Sequence, residues 1–299
     1  MHSFGKGFAF LTHYIKNLRG GSQPILAHAT DGHTYVVKFA NNLQGPNILF
    51  NESAGSELYV ALGLPVPIWR PLRVSEDFLE KNPDCWIQTP EGRLRPSSGL
   101  CFGSRFLGDN GRRHLEILPR TSFERVRNPT DFWLAWLIDV CAEHADNRQA
   151  LFAEDAKGWL HTYFVDFGHF FGGPKADLKK HFRVSRYLDS RIYGQVSSEA
   201  LVAFRNIMRA LDTGTLYSRI EAIPAEWHHA SAVAGFERCL DRLANSVLVQ
   251  SILETLANDI ERKPESGYQG NEQGPGEILC LGVQGTKRGR NFAYHSLGA

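Results

Sequence analysis

Two short acidic segments contain the side chains of this chain that are best suited to chemistry. Asp166 ends a hydrophobic run and is followed by Phe167 and Gly168, whereas Asp146 lies in a polar stretch further upstream. Kinases use one carboxylate at the end of an apolar strand and another in a preceding loop to hold Mg²⁺ and to orient a nucleophile. The order and spacing of these residues therefore predict a phosphotransferase site.

Each polar residue of the two segments has an expected role. Asp166 is the predicted metal ligand, because Mg²⁺ prefers carboxylate oxygen and an unpaired aspartate beside an apolar strand is costly to bury. Asp146 is the predicted base, which accepts the proton of a substrate hydroxyl. Arg148 is expected to neutralise phosphate charge or to pair with Asp146. Asn147 and Gln149 carry amide oxygens that can reach a second metal ion.

Lys38 is the predicted contact to the ATP phosphates. It ends an apolar strand, where a lysine supplies a fixed cation without needing a flexible loop. The other interpretation is a strand-end lysine whose stem covers apolar surface. A following helix offers two carboxylate partners, Glu52 and Glu57, which occupy different helix faces because they are five residues apart. We favour Glu52 as the partner of Lys38.

A glycine pair precedes the first predicted strand. Gly20, Gly21 and Ser22 are candidates for a phosphate-binding turn, because glycine lets backbone N–H groups approach a phosphate closely. The segment matches neither the Walker pattern nor the three-glycine loop of protein kinases. It also suits an ordinary turn, so its role depends on what lies around it.

The first third of the chain has the pattern of a small β-rich lobe. Asp31 and Gly32 between two apolar runs indicate a hairpin. A helix is predicted over residues 51–62, with Asn51 as its N-cap. The strands predicted in this region cover residues 25–29, 34–39, 68–74 and 100–106.

After Gly108 the pattern becomes helical, with a buried helix at residues 132–140 and a short strand pair between the two acidic segments. Two more helices are predicted, over residues 197–211 and 230–260. The fold class predicted is α+β, a bilobal protein-kinase-like fold with a β-rich N-lobe and a helical C-lobe. The predicted divisions are an N-lobe at 1–108, a C-lobe at 109–262 and a polar, disordered tail at 263–299.

The composition narrows the classes of partner. Hydrophobic residues make up 42% and charged residues 22% of the chain, as in ordinary globular proteins. A net charge of +1 gives no electrostatic reason to expect nucleic acid binding. No apolar run approaches the ~20 residues that span a bilayer. The five cysteines are scattered and form no CxxC pair, so a reducing cytoplasm is the expected location.

In these residues the chain resembles the HipA-like kinases, atypical serine/threonine kinases with a protein-kinase-like fold. The similarity is spread in blocks over about residues 15 to 260, and the order of the blocks is its most specific feature. The resemblance implies that Lys38 contacts ATP phosphates, that Asp146 is the catalytic aspartate and that Asp166 binds Mg²⁺. The matching blocks are residues 20–24, 35–39, 51–52, 63–67, 146–152 and 165–168.

The chain departs from the family pattern beside Asp146. The family places an asparagine metal ligand about five residues after the catalytic aspartate, where this chain has Leu151, and often an asparagine two residues before it, where this chain has His144. Gln149 or Asn147 is then the replacement ligand, or the second metal site is weak. The departure keeps a nucleotide-binding pseudokinase open as an alternative.

A third alternative is a lipid or small-molecule kinase. The block Asp166–Gly172 also resembles the corresponding loop of phosphoinositide 3-kinases, and basic residues follow it. Basic surface loops attract anionic headgroups, although the same residues suit a solvated charged face. The favoured expectation remains transfer of the γ-phosphate of ATP to a hydroxyl acceptor, most simply a protein serine or threonine. The basic residues are Lys175, Lys179, Lys180 and Arg183.

Overall fold

The computed structural model describes residues 7–111, 113–175, 186–193 and 197–261. In the first part, five strands close into a small barrel in the order β1-β2-β3-β7-β4. All neighbours in the barrel pair antiparallel except β1 and β4, which pair parallel. The predicted hairpin of β2 and β3 and the two later strands are confirmed, whereas β1 was not predicted. The barrel strands are β1 (Ala9–Asn17), β2 (Ile25–Ala29), β3 (Thr34–Lys38), β4 (Trp69–Val74) and β7 (Gly99–Arg105).

Helix α1 (Ile48–Ala61) follows the barrel hairpin and is buried along most of its length. The helix begins before the predicted start, so the prediction of Asn51 as its N-cap is wrong. The N-cap is Asn47, and the backbone N–H of Asn51 already donates to the Asn47 carbonyl, as in a helix interior. The helix ends ahead of Gly63, which has a φ of +81° that favours glycine.

Three short elements lie between the later barrel strands. Helix α2 (Glu76–Lys81) is capped by Ser75, whose side chain accepts a hydrogen bond from the Phe78 N–H. Strands β5 (Ile87–Thr89) and β6 (Gly92–Leu94) form a separate hairpin.

The second part begins with β8 (His114–Leu115) and the buried helix α3 (Asp131–Cys141). Strands β9 (Gln149–Glu154) and β10 (Leu160–Val165) then pair antiparallel, which confirms the strand pair predicted between the two acidic segments. Helix α3 is apolar on nearly every face and packs in the main core of the molecule. The strand pair brings Asp146, just before β9, and Asp166, just after β10, to the same end of the sheet.

The remaining helices complete the helical region. The single helix predicted over residues 230–260 is two helices, because Asn245 adopts an extended conformation between them. Helix α5 was not predicted. No helix of the described ranges is both long and apolar enough to cross a membrane. The predicted tail at 263–299, like Lys179, Lys180 and Arg183, lies outside the described residues. These helices are α4 (Ser198–Arg209), α5 (Thr213–Glu221), α6 (Ala230–Ala244) and α7 (Ser246–Glu261).

The β-rich first part and the helical second part confirm the predicted α+β bilobal fold class. The exact lobe boundary at residue 108 stays a prediction.

Candidate active site

Three charged side chains predicted from sequence meet at the end of β3. Lys38 Nζ lies 2.5 Å from Glu52 Oε1 on α1 and 2.9 Å from Asp166 Oδ1 after β10. Lys38 and Glu52 are nearly buried, with side chains 9% and 3% exposed, whereas the Asp166 side chain is 29% exposed. The arrangement joins the barrel, α1 and the C-terminal end of β10 through one ammonium group.

The charges of this group affect one another in different directions, because burial and the nearby Asp166 raise the pKa of Glu52 although Lys38 opposes this. Burial disfavours the ionised carboxylate of Asp166, but the Lys38 ammonium outweighs it and holds the pKa of Asp166 well below its ordinary value. Burial also disfavours the ammonium of Lys38, yet Asp166 and Glu52 together raise the pKa of Lys38 above its usual range. Lys38 and Asp166 are therefore both charged at neutral pH, which suits a site that holds phosphate and a cation.

The second carboxylate candidate, Glu57, lies in a different environment. Its Oε1 accepts a hydrogen bond of 2.8 Å from Trp69 Nε1, and its Oε2 accepts one of 3.1 Å from Arg219 Nη1. Glu57 thus ties α1 to β4 and α5. The partner of Lys38 is Glu52, in keeping with the choice made from the sequence.

The backbone after Asp166 forms a tight turn over residues 166–173, called here the metal-loop turn. Asp166 has a φ of +64°, a left-handed conformation that non-glycine residues seldom adopt. The Glu52 carboxylate accepts hydrogen bonds from the N–H groups of Phe167 (3.2 Å) and Gly168 (2.9 Å). A Cβ at Gly168 would lie 2.8 Å from Ile48 Cδ1 and 3.0 Å from Glu52 Oε1, so a larger residue would require both side chains to shift.

The structure corrects the position expected for Arg148. Its side chain is fully buried, and Nη2 donates to the carbonyls of Val165 (2.7 Å) and Asp166 (2.6 Å). Nη1 donates to Asp139 Oδ1 (3.3 Å) and to the Tyr59 hydroxyl (3.1 Å). Burial opposes its charge, but Asp139 raises the pKa of Arg148, so the guanidinium stays protonated. Arg148 therefore supports the backbone of Asp166 from inside the protein, and the phosphate contact and Asp146 pairing expected of it do not fit its buried position.

Asp146 occupies the turn before β9 and is half-buried. Its Oδ1 accepts a 2.7 Å hydrogen bond from the N–H of Asn147, and the preceding residue, Ala145, donates its N–H to the His169 carbonyl at 3.1 Å. The turn that carries Asp146 is thus joined to the metal-loop turn through main-chain atoms. Its carboxylate is more accessible than that of Glu52.

Gln149 lies against Asp166, whereas Asn147 supplies a main-chain contact to Asp146. Gln149 Nε2 donates to Asp166 Oδ2 at 2.9 Å, and the Gln149 side chain is otherwise exposed. Of the two residues considered as the replacement ligand, Gln149 is the one in direct contact with Asp166. Leu151, at the family's asparagine position, lies within β9.

The turn at residues 20–22 contacts the loop that leads into α1. The Ser22 carbonyl accepts a hydrogen bond of 3.0 Å from Asn42 Nδ2, and a Cβ at Gly21 would lie 2.5 Å from Gln44 Nε2. Gln44 Nε2 is in turn 3.0 Å from His169 Nε2 in the metal-loop turn. Gly20 has a φ of +134°, which favours glycine. A side chain at Gly21 would therefore displace the end of the Gln44 side chain.

Asn51 is a residue of the site whose role the sequence reasoning missed. It is fully buried, and its Nδ2 donates to the carbonyls of Gly168 (2.9 Å) and Phe170 (2.8 Å). The available signal was an asparagine in an apolar helix directly before Glu52, since asparagine is a poor residue for a helix interior. Such a residue has a reason to be there when its side chain has partners outside the helix.

The oxygen ligands available in this site fit a divalent cation that also binds phosphate oxygens. Within the described ranges, no group of three or more His, Cys, Asp or Glu residues is placed to hold a metal by itself. Mg²⁺ commonly takes one or two protein oxygens and completes its shell with phosphate oxygens and water. The partly exposed carboxylate of Asp166 fits that requirement, and Gln149 lies against it through its amide nitrogen.

Comparisons with known proteins show the fold. No protein-family model matches the chain, and no curated protein matches its sequence. The crystal structure of the Golgi casein kinase with Mn/ADP bound matches with 16% identity and a TM-score of 0.50, over 84% of this chain and 74% of that one. The structure of the Helicobacter pylori proinflammatory kinase CtkA matches with 15% identity and a TM-score of 0.50, over 81% and 95%. The chain therefore has a protein-kinase-like fold.

Proposed function

We propose that this protein is an ATP-dependent phosphotransferase of the HipA-like kinase type, which transfers the γ-phosphate to a hydroxyl of a protein serine or threonine. The observation that carries the proposal is the position of the Lys38 ammonium between Glu52 and Asp166. Phosphoryl transfer depends mainly on positioning and charge stabilisation. A lysine fixed by two carboxylates from different parts of the fold supplies both.

Each residue then has a defined task. Lys38 binds phosphate oxygens, and the backbone of Gly20, Gly21 and Ser22 approaches the same phosphates. Asp146 accepts the proton of the acceptor hydroxyl as that oxygen attacks. Arg148 has no contact with substrate in this scheme.

Asp166 and Gln149 would hold Mg²⁺, which supplies positive charge that offsets the charge of the phosphates. The Golgi casein kinase structure contains Mn and ADP, which supports testing Mn²⁺ beside Mg²⁺. A cytoplasmic location, expected from the scattered cysteines, belongs to the same proposal.

The direct test is ATP turnover by the purified protein with Mg²⁺ or Mn²⁺. Asp166→Asn is the comparison, because it removes a ligand charge while leaving the Lys38–Glu52 pair. Asp155→Asn is a matched control, since Asp155 caps the β9–β10 turn through the N–H groups of Lys157 and Trp159. Metal-dependent turnover that is lost only in Asp166→Asn supports a kinase. Equal turnover in all three proteins would contradict the proposal.

A nucleotide-binding pseudokinase is the second candidate. Leu151 favours it, because a leucine in β9 cannot coordinate the second metal ion that the family's asparagine binds. This function predicts that ATP raises the melting temperature while no phosphate reaches a protein, a lipid or the protein itself. Transfer to lipid vesicles but not to protein would instead identify a lipid kinase.

A further inference from the structure

The hydrogen bonds between α1 and the metal-loop turn give Asn51 a role in the site. We propose that Asn51 is a positioning residue for Asp166, which holds the metal-loop turn so that the Asp166 carboxylate faces the metal. This inference rests on the proposed function, because it concerns the same metal site. Asn51 touches neither nucleotide nor metal in this scheme and acts through the backbone.

The contacts of the Asn51 amide converge on one turn. Nδ2 donates to the Gly168 carbonyl at 2.9 Å and to the Phe170 carbonyl at 2.8 Å, and the Gly173 carbonyl lies 3.4 Å away. These acceptors belong to residues far from Asn51 in sequence. The buried Asn51 side chain on α1 thus donates hydrogen bonds to carbonyl groups along most of the metal-loop turn.

The next residue in sequence, Glu52, binds backbone N–H groups of the same turn. Glu52 accepts hydrogen bonds from the N–H groups of Phe167 and Gly168. Asn51 donates where Glu52 accepts, so two consecutive residues of α1 satisfy both the donors and the acceptors of the metal-loop turn. Unpaired backbone groups at this depth would be costly.

The turn needs such support because its conformation is unfavourable by itself. Asp166 has a left-handed φ of +64°, which an aspartate keeps only where surrounding contacts impose it. The approach of α1 is close: a Cβ at Gly55 would lie 2.6 Å from Phe167 Cβ. The helix and the turn therefore pack directly against each other, and the direction of the Asp166 carboxylate follows from where α1 holds the turn.

Groups that orient a metal ligand affect metal affinity without touching the metal. Removing such an outer contact commonly costs 10–100-fold in affinity. Asn51→Ala removes the Asn51 donor from the Gly168 carbonyl and one of the two donors from the Phe170 carbonyl, which still accepts from the Gly173 N–H. We expect the turn to relax and the Asp166 carboxylate to lose its fixed direction. The expected effect falls on metal binding more than on binding of the nucleotide base.

The experiment measures Mn²⁺ binding to the protein–ADP complex from the electron paramagnetic resonance signal of free Mn²⁺. Asn51→Ala is expected to weaken Mn²⁺ binding about tenfold, and Asn51→Ser, which keeps a hydroxyl donor, less. The matched control is Ser53→Ala. Ser53 is also buried on α1, but its hydroxyl donates to the Leu49 carbonyl of the same helix.

The outcomes separate this inference from the proposed function. Weaker Mn²⁺ binding in Asn51→Ala with unchanged binding in Ser53→Ala supports the positioning role. Mn²⁺ binding in a folded Asn51→Ala protein within twofold of the wild type overturns it while leaving the kinase proposal intact. If Asn51→Ala does not fold, the same criteria apply to Asn51→Leu, which is similar in size to asparagine and also lacks a donor. Absence of Mn²⁺ binding by the wild-type ADP complex overturns the proposed metal site, and the inference with it.

Discussion

The two aspartates of the site are held in different ways. The Asp166 carboxylate is bound by Lys38 and Gln149, and its backbone carbonyl is bound by the buried guanidinium of Arg148. The half-buried Asp146 carboxylate is bound by the N–H of its own neighbour, Asn147. The region around Asp166 is connected to both lobes. The region around Asp146 is a local turn joined to its surroundings by main-chain contacts.

The difference matches the needs of the proposed reaction. A metal and the ATP phosphates are the same in every turnover, so a rigid set of charges around Asp166 is an advantage. An acceptor must enter and leave, so Asp146 has to remain accessible. Substitutions at Asp166 should therefore affect metal and nucleotide together, whereas those at Asp146 should affect transfer alone.

The largest effect is expected for Asp166→Asn. The substitution removes the charge that binds the metal, while Lys38 keeps Glu52 as a buried partner and the fold is retained. Metal-dependent ATP turnover should fall by about a thousandfold, with a circular dichroism spectrum like that of the wild type. Turnover within tenfold of the wild type would show that Asp166 does not carry the site.

Asp146→Asn tests the other region. We expect transfer to fall by about a hundredfold to a thousandfold, the range for loss of a general base. The melting-temperature increase caused by ATP and Mg²⁺ should be unchanged, because the contacts of Lys38 and Asp166 remain. If Asp146→Asn also abolished that increase in melting temperature, the regions around Asp146 and Asp166 would not have separate roles in transfer and in binding. Normal transfer would remove Asp146 from the proposed mechanism.

The same contrast explains what could be predicted from the sequence. Lys38 and Asp166 lie at the ends of apolar strands, and strand patterns set the positions of such residues well. The sequence offered both Glu52 and Glu57, on different faces of α1, as partners of Lys38. Which of them meets Lys38 depends on how α1 packs and not on the local sequence pattern. The hydrogen bonds of Asn51 join residues 117 to 122 positions apart, and Arg148 binds Tyr59, 89 positions away. Both sets involve buried atoms, and no local pattern encodes them.

Other misses have local reasons. Strand β1 alternates weakly between buried and exposed positions because its middle is mostly exposed, so its period-2 signal is faint. The helical pattern over residues 230–260 continues through Asn245, whose side chain accepts a hydrogen bond from the Leu248 N–H and starts a new helix. Helix boundaries of this kind depend on a single residue and are easily missed.

Arg148→Met tests the link between the two regions. Arg148 follows Asp146 by two residues and donates to the Asp166 carbonyl. Its removal leaves the fully buried Asp139 carboxyl without its ionic partner, which should cost about 3–5 kcal/mol of unfolding free energy in urea denaturation. Adding Asp139→Asn to this variant should restore part of the lost free energy of unfolding. If the double variant were no more stable than Arg148→Met, the Asp139–Arg148 pair would not explain the stability.

The smallest effect is expected from His144, which lies beneath both regions. Its buried ring packs edge-on against Phe170 in the metal-loop turn at 4.8 Å, and its Nδ1 is 3.4 Å from Asp139 Oδ2. Burial lowers the pKa of His144 below its ordinary value, and this outweighs the opposing charge of Asp139. The folded protein therefore resists protonation of this ring, while the unfolded chain binds the proton near pH 6.5.

The sign of the pH dependence follows from this difference. Above about pH 6.5 the ring is neutral in both states, and its contribution to stability is fully present. As the pH falls below 6.5, the unfolded state binds the proton first, and stability decreases by at most about 1.4 kcal/mol per pH unit until the lower pKa of the folded state is reached. Urea denaturation at pH 7, 6 and 5 should show a smaller loss for His144→Gln than for the wild type. An equal loss in the wild type and in His144→Gln would show that protonation of His144 is not coupled to folding.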